Sequence, residues 1–188
     1  MNKKKLNVAI IGLGQIGGRL YKEILSKKKD IADKTGCNVD IVAISAKNIS
    51  KKRNFNFNRK IFYKNALQIC KNNNIDIIFE LIGHSGGISK KVIELALRNK
   101  KHIITANKAI IAKHGDYLSL LAEKNKVNLE FEAAVGGGIP ILRTIKDGLS
   151  TNKINKVVGI LNGTCNYILS EMESSQESFS NVLKKAQS

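Results

Sequence analysis

A strand-like apolar segment followed by a glycine-rich loop constrains the fold of this chain more than any other feature. Residues 8–11 (Val-Ala-Ile-Ile) precede a Gly-x-Gly-x-x-Gly pattern formed by Gly12, Gly14 and Gly17. Apolar residues then recur at helical spacing between positions 16 and 25. The sequence therefore predicts a buried strand, a tight turn and a helix in immediate succession, which is typical of an α/β fold.

Each glycine of this loop has a separate predicted role. Gly12 permits the tight turn, Gly14 lets the backbone approach a pyrophosphate, and Gly17 allows the helix to pack closely on the strand. The phosphates would lie on the N–H groups of the helix N-terminus. The alternative is a structural glycine turn in another kind of α/β protein. The predicted dinucleotide-binding loop comprises Gly12, Leu13, Gly14, Gln15, Ile16 and Gly17.

The formal net charge of +17 raises the question of nucleic-acid binding. The lysines, however, are spread through predicted helices and loops, and aromatic residues make up only 5% of the 188-residue chain, too few for a base-stacking platform. We therefore predict no nucleic-acid partner, although a basic surface attracts anionic cofactors and substrates.

The cysteines, histidines and hydropathy pattern indicate a cytoplasmic protein. Cys37, Cys70 and Cys165 are odd in number and form no Cys-x-x-Cys pair, and the three histidines lack metal-ligand spacing. No apolar run approaches the roughly 20 residues of a membrane span, and the first one is interrupted by glycines as in a strand and loop, so we expect neither a signal peptide nor a membrane partner.

The end of the second predicted strand, residues 39–45, bears on the choice of dinucleotide. An acidic residue there accepts a hydrogen bond from a ribose hydroxyl, whereas a cation suits a 2′-phosphate. The sequence offers no Asp or Glu at this point but places Lys47 directly after the strand. NADP(H) is therefore favoured over NAD(H). Residues 51–53 (Lys-Lys-Arg) are either further phosphate contacts or a solvated loop.

Two further predicted strands, residues 75–82 and 102–105, end in candidate site residues. Gly83 begins a glycine-rich loop that either passes beneath the cofactor or only turns the chain into a helix over 88–99. Lys108 could reach the nicotinamide and a carboxylate-bearing substrate. The alternative for Lys108 is an exposed residue at the start of a helix that Asn107 caps.

A second glycine-rich segment, residues 132–140 (Glu-Ala-Ala-Val-Gly-Gly-Gly-Ile-Pro), follows a predicted strand over 127–131. Three consecutive glycines permit backbone conformations that other residues avoid, so the carbonyl oxygens can converge on one point. Together with Glu132 they could bind a hard cation. The alternative is a hinge between domains.

Four motifs in order resemble those of the homoserine dehydrogenase family. They are residues 12–17 (Gly-Leu-Gly-Gln-Ile-Gly), 105–109 (Thr-Ala-Asn-Lys-Ala), 132–140 and 159–168 (Gly-Ile-Leu-Asn-Gly-Thr-Cys-Asn-Tyr-Ile). The resemblance implies a Rossmann-type doubly wound parallel sheet over residues 1–133. Residues 134–188 would then be the start of an α+β catalytic and dimerisation domain, with residues 154–161 as a strand of the homodimer interface.

The same resemblance implies an activity and a site. The family reduces L-aspartate 4-semialdehyde to L-homoserine with NAD(P)H, for threonine and methionine biosynthesis. The implied cofactor contacts are Lys47 for the 2′-phosphate, together with Gly83, Lys108 and Gly163. The implied substrate contacts are Lys108, which is also the catalytic residue, Gly163 and Thr164. A monovalent cation, Na⁺ or K⁺, would be bound by Glu132, Val135, Gly137 and Ile139.

The resemblance stops short of the family's later motifs. A Gly-Tyr-x-Glu-x-Asp-Pro segment and a proton-donating lysine have no counterpart in the 188 residues. We therefore expect a truncated protein that binds NADPH with negligible turnover. The alternative is a catalytically dead NADP(H)-binding module, or a subunit of a larger assembly.

Overall fold

A five-stranded parallel sheet organises the structure, a computed structural model that describes residues 3–160 and 162–187. The strand order is β2-β1-β3-β4-β5, so the direction of winding reverses between β1 and β3. In such sheets, ligands bind outside the carboxyl ends of the strands at this reversal. The predicted doubly wound α/β sheet is confirmed. Its strands are β1 (Lys4–Ile11), β2 (Cys37–Ser45), β3 (Ile77–Glu80), β4 (His102–Thr105) and β5 (Leu129–Glu130).

Helices connect the parallel strands, because each connection must cross from one end of the sheet to the other. Among the described residues, no helix has both the length and the hydropathy needed to cross a membrane. The helices up to β5 are α1 (Gln15–Ser26), α2 (Lys28–Thr35), α3 (Ala66–Lys71), α4 (Ile88–Arg98) and α5 (Lys108–Lys124). Two short helices follow, α6 (Glu132–Val135) and α7 (Ile141–Arg143).

The strand β1, which lies between β2 and β3, is buried on both faces, which explains its uninterrupted apolar run. Val8 and Ile10 belong to a core cluster with Tyr21 of α1. Ala9 and Ile11, which alternate with them, belong to the cluster on the other face, against α4 and α5. Full burial of such an aliphatic side chain contributes about 1.5–3 kcal/mol, so the glycine loop begins from a rigid base.

The helix α1 is followed almost directly by a second helix, α2. The helix α2 is mostly polar and buries only Ala32, so hydrophobic periodicity does not reveal it. It ends at Gly36, which adopts the left-handed conformation (φ 72°). The Lys28 ammonium hydrogen bonds to the Asp40 carboxylate on β2 and lowers the pKa of that carboxyl, so α2 is held to the edge strand.

Residues 54–58 fold back on α1. The Phe55 ring packs against Tyr21 at a centroid distance of 5.9 Å and against Phe57 at 6.3 Å. Gly18 makes room for this contact, since a Cβ atom there would lie 2.3 Å from the Phe55 ring. The segment that follows β2 is therefore packed against the helix that follows the glycine loop.

The chain divides into two compact units, Met1–Thr144 and Ile145–Ser188. In the second unit, α8 (Gly163–Ser175) packs on α9 (Phe179–Gln187), and Ile168 and Val182 are buried. The strand predicted over 154–161 is absent from 154–160, while Leu161 lies outside the described residues. A strand needs a hydrogen-bonding neighbour, and the described part of this unit contains no strand that could pair with it.

Cysteine reactivity provides a test of the core. Cys70 is fully buried under α4, and burial raises the pKa of its thiol to about 12, whereas Cys165 is exposed. We expect iodoacetamide at pH 8 to alkylate Cys165 and leave Cys70 intact, because the thiolate is the reactive form. Peptide mass spectrometry would measure this, with the urea-unfolded chain as the control in which Cys70 also reacts. Rapid modification of native Cys70 would contradict the packing.

Candidate functional site

The glycine loop follows β1 and is held between the ends of β2 and β3, the strands on either side of β1. Gly12 adopts φ +105°, and its N–H donates to the Ser45 carbonyl at 2.8 Å. A Cβ atom at Gly12 would lie 2.4 Å from the Leu81 carbonyl oxygen, and one at Gly17 would lie 1.8 Å from the Gly12 carbonyl oxygen. These contacts leave no room for side chains and draw α1 close to β1, as predicted for the first and third glycines.

The second glycine faces open space. A Cβ atom at Gly14 would meet no atom within 4 Å. The helix α1 begins at the next residue, Gln15, with no side-chain hydrogen bond to cap it and no acidic residue in its first turn. The N–H groups and positive dipole end of α1 are thus available to an anion such as a pyrophosphate.

A cleft of about 1100 Å³ lies at this edge of the sheet. Its size suits a dinucleotide, because ligand pockets are typically about 300–1,000 Å³. It brings together four of the residues predicted for cofactor binding: Gly12, Leu13, Gly14 and Lys47. Of the other loop residues, Gly17 packs behind the cleft and Ile16 is exposed.

Cations line the β2 side of the cleft. Lys47, Lys51 and Lys64 contribute to its wall, and none of the described residues that line the cleft is an aspartate or glutamate. The wall therefore offers positive charge at the point where an acid would otherwise meet a ribose hydroxyl. Lys64, which precedes α3, carried no signal in the sequence beyond its charge.

Arg53 also lines the cleft, and its guanidinium is hydrogen bonded to the backbone of the surrounding loops. Its guanidinium donates from Nε to the Leu13 carbonyl at 3.2 Å, from Nη1 to the Ile49 and Lys51 carbonyls at 3.1 and 2.9 Å, and from Nη2 to the Asn48 carbonyl at 2.7 Å. These bonds occupy four of its five N–H donors. Arg53 therefore ties the lysine-bearing loop to the glycine loop.

A buried carboxylate joins the ends of β3 and β4. Glu80 is fully buried and accepts hydrogen bonds from the Ser89 hydroxyl at 2.6 Å, the Thr105 hydroxyl at 2.6 Å and the Ile82 N–H at 3.0 Å. Sequence reasoning missed Glu80 as a site residue. The available signal was a lone acidic residue inside an apolar strand, which is rare without a specific partner.

Asn107 extends this network and caps α5. Its Oδ1 accepts from the Ile110 N–H at 3.2 Å, and its Nδ2 donates to the His84 carbonyl and the Ser89 hydroxyl, both at 2.9 Å. Lys108 is the first residue of α5; it is exposed and does not line the cleft. The helix cap considered for Asn107 is thus present, and the role of Lys108 in catalysis stays a prediction.

Gly83 adopts φ +91° between two residues that line the cleft, Ile82 and His84, without lining it itself. In the second unit, Gly163 and Thr164 form the first turn of α8, where the Asn162 side chain accepts from the Cys165 N–H at 2.9 Å. Gly83, Gly163 and Thr164 therefore lie at element ends, as expected for ligand-binding residues, and their roles stay predictions.

The predicted cation-binding segment forms a short helix, α6, and a turn. The Glu132 carboxylate accepts from the Leu142 and Arg143 N–H groups at 2.9 Å each and so caps α7. Val135 and Ile139 are exposed. Among the described residues no group of three or more His, Cys, Asp and Glu side chains could hold a metal. Any cation at Glu132, Val135, Gly137 and Ile139 would therefore depend on backbone carbonyls.

Family models match both parts of the chain. The model described as homoserine dehydrogenase, NAD binding domain, matches residues 12–132, and the model described as homoserine dehydrogenase matches residues 140–188. The chain belongs to the homoserine dehydrogenase family. The NAD(P)-binding domain inferred from the glycine loop is therefore present, and the family resemblance drawn from the four motifs is confirmed.

Curated members of the family are similar over nearly the whole chain. Homoserine dehydrogenases of Neisseria gonorrhoeae and Bacillus subtilis are 38% and 36% identical over 184 residues, 98% of this chain and 42% of each relative. A Thiobacillus denitrificans homoserine dehydrogenase structure gives a TM-score of 0.83 at 34% identity, covering 98% of this chain and 42% of that one. The chain thus spans about two fifths of the length of these relatives.

Proposed function

We propose that this chain forms the NADP(H)-binding part of a homodimeric homoserine dehydrogenase that reduces L-aspartate 4-semialdehyde to L-homoserine. The observation that carries the proposal is the cleft itself. It has an uncapped helix N-terminus beside Gly14 and, towards β2, Lys47, Lys51 and Lys64 with no acidic residue. The helix N-terminus suits a pyrophosphate, and the lysines towards β2 suit a 2′-phosphate.

The proposed roles are those that the family resemblance implies. When bound, the dinucleotide supplies the hydride that reduces the aldehyde. The exposed ammonium of Lys108 contacts the substrate and the nicotinamide end of the cofactor, and Gly83 passes beneath that end. By the family resemblance, Gly163 and Thr164 contact the substrate, and Gly163 also contacts the cofactor. Glu132, together with the backbone carbonyls of Val135, Gly137 and Ile139, holds Na⁺ or K⁺.

The first test concerns cofactor choice. We expect Lys47→Ala to raise the Kd for NADPH about tenfold and to leave the Kd for NADH unchanged, because a charge-assisted contact to the 2′-phosphate is lost. Titration by nicotinamide fluorescence measures both constants. Lys34→Ala, which removes an exposed lysine of α2 outside the cleft, is the matched control. Equal losses for both dinucleotides would contradict the assignment of Lys47.

The second test concerns turnover. We expect residues 1–188 to bind NADPH but to reduce aspartate semialdehyde negligibly, because the family's proton-donating lysine and substrate-binding acids have no counterpart in this sequence. Steady-state NADPH oxidation is the measurement, with the Bacillus subtilis relative as the positive control. A rate of about 1 s⁻¹ or more would overturn this expectation. Absence of NADPH binding would overturn the proposed function itself.

A further inference from the structure

The buried carboxyl group of Glu80 is satisfied by hydrogen bonds and not by a cation. In the part of the chain that the structure describes, no lysine, arginine or histidine forms an ion pair with it. Two donors come from Ser89, in the first turn of α4, and from Thr105, just before α5. The positive ends of two helix dipoles therefore lie near this carboxylate and offset part of its desolvation cost.

The two accepting oxygens of Glu80 give every hydrogen bond of the network one direction. The Ser89 and Thr105 hydroxyls both donate to Glu80. The remaining lone pairs of these hydroxyls accept from the Asn107 side-chain amide and the Asn107 backbone N–H, at 2.9 and 3.0 Å. With its NH₂ group so engaged, Asn107 presents Oδ1 to the Ile110 N–H and caps α5.

The hydrogen-bond network of Glu80 contacts residues of the proposed site, although Glu80 itself is not exposed to the cleft. Asn107 immediately precedes Lys108, and its Nδ2 also holds the carbonyl of His84, which lines the cleft. Glu80 itself does not line the cleft. We propose that Glu80 is a positioning residue, whose buried carboxylate holds the loops after β3 and β4 in the one arrangement that receives the nicotinamide half of NADP(H). This inference rests on the proposed function and adds a residue to its site.

Two accepting oxygens, and not shape alone, are what the network requires. In Glu80→Gln the side chain keeps its size, but an NH₂ group replaces one accepting oxygen. If that group faces Thr105, the Thr105 hydroxyl hydrogen loses its acceptor in a buried position. If it faces Ser89 and the Ile82 N–H, two donors are left opposite a donor. The first orientation breaks the link between β3 and β4, and the second breaks the bonds from Glu80 to α4 and to the loop after β3. Both changes lie at the edge of the sheet that carries Lys108.

The test compares two ligands on the full 188-residue chain. NADPH occupies both halves of the proposed cleft, whereas adenosine 2′,5′-bisphosphate carries the adenosine half and no nicotinamide. The adenosine half lies towards β2, on the far side of β1 from the Glu80 network. We expect Glu80→Gln to raise the Kd for NADPH about tenfold and to change the Kd for the bisphosphate less than twofold.

Two further variants keep the result interpretable. Glu130→Gln removes an exposed carboxylate from β5 and should change neither Kd. Ser89→Ala removes one of the three hydrogen bonds to Glu80 while leaving both of its oxygens in place, and should raise the Kd for NADPH about threefold with the bisphosphate unaffected. If Glu80→Gln fails to fold, the two Kd values of Ser89→Ala decide the result.

The outcomes separate the inference from the proposed function. A selective loss of NADPH affinity supports positioning by Glu80. An equal loss for both ligands indicates a general destabilisation and overturns the inference, as does no loss for either ligand. If the wild-type chain binds neither ligand, the proposed function fails first.

Discussion

Replacing Gly17 with alanine is expected to lower the free energy of unfolding by about 3 kcal/mol. The added Cβ atom would lie 1.8 Å from the Gly12 carbonyl oxygen, a backbone atom that cannot rotate away, so α1 or the loop must shift. The better helix propensity of alanine, about 1 kcal/mol, offsets only part of this cost. Urea unfolding followed by circular dichroism measures the change. A variant as stable as the wild type would contradict the close packing of α1 on β1.

Gly14→Ala is the matched variant, because it makes the same chemical change three residues away. A Cβ atom at Gly14 meets nothing within 4 Å, so we expect stability within about 0.5 kcal/mol of the wild type. The methyl group would, however, project into the proposed pyrophosphate site and weaken NADPH binding. The pair therefore separates a glycine needed for the fold from a glycine needed for the ligand. Weak binding by Gly17→Ala alone would reverse these assignments.

The glycine loop could be predicted from the sequence because its constraints are local. The apolar run over 8–11 and the three glycine positions determine a strand, a turn and a helix within about 20 residues. Lys47 could be placed at the cleft for the same reason, since it follows directly on a strand whose end the fold fixes. Such features depend on spacing along the chain, which a single sequence displays.

Features that depend on distant partners could not be predicted. Glu80 meets Ser89 and Thr105 only after β3, β4 and α4 have assembled, and inside an apolar strand it gives no local pattern. The helix α2 carries too few apolar residues to show periodicity, and its Lys28–Asp40 contact joins it to another element. Propensity and periodicity report neither kind of contact.

The loop that carries the cleft's lysines depends on one side chain. Arg53 donates to the carbonyls of Asn48, Ile49 and Lys51 within the loop and to that of Leu13 in the glycine loop, and its guanidinium lies 5.4 Å from the centroid of the Phe57 ring. A single planar group thus fixes the lysine-bearing segment against the phosphate-binding segment. Its contribution is one of geometry, since most of its donors face backbone oxygens and not the ligand space.

Arg53→Ala is accordingly expected to raise the Kd for NADPH and for NADH alike, each about tenfold, because both the glycine loop and the lysine loop lose their common tether. This pattern differs from that of Lys47→Ala, which should affect NADPH alone.

Arg53→Lys sharpens the comparison. An ammonium keeps the charge but cannot donate along four directions to separate carbonyls, so we expect it to bind both dinucleotides as weakly as the alanine variant. Fluorescence titrations at about 50 and 200 mM salt measure the constants and their electrostatic component. If lysine restored NADPH affinity, and did so only at low salt, Arg53 would act through its charge on the 2′-phosphate, and the lysine loop would hold its shape without it.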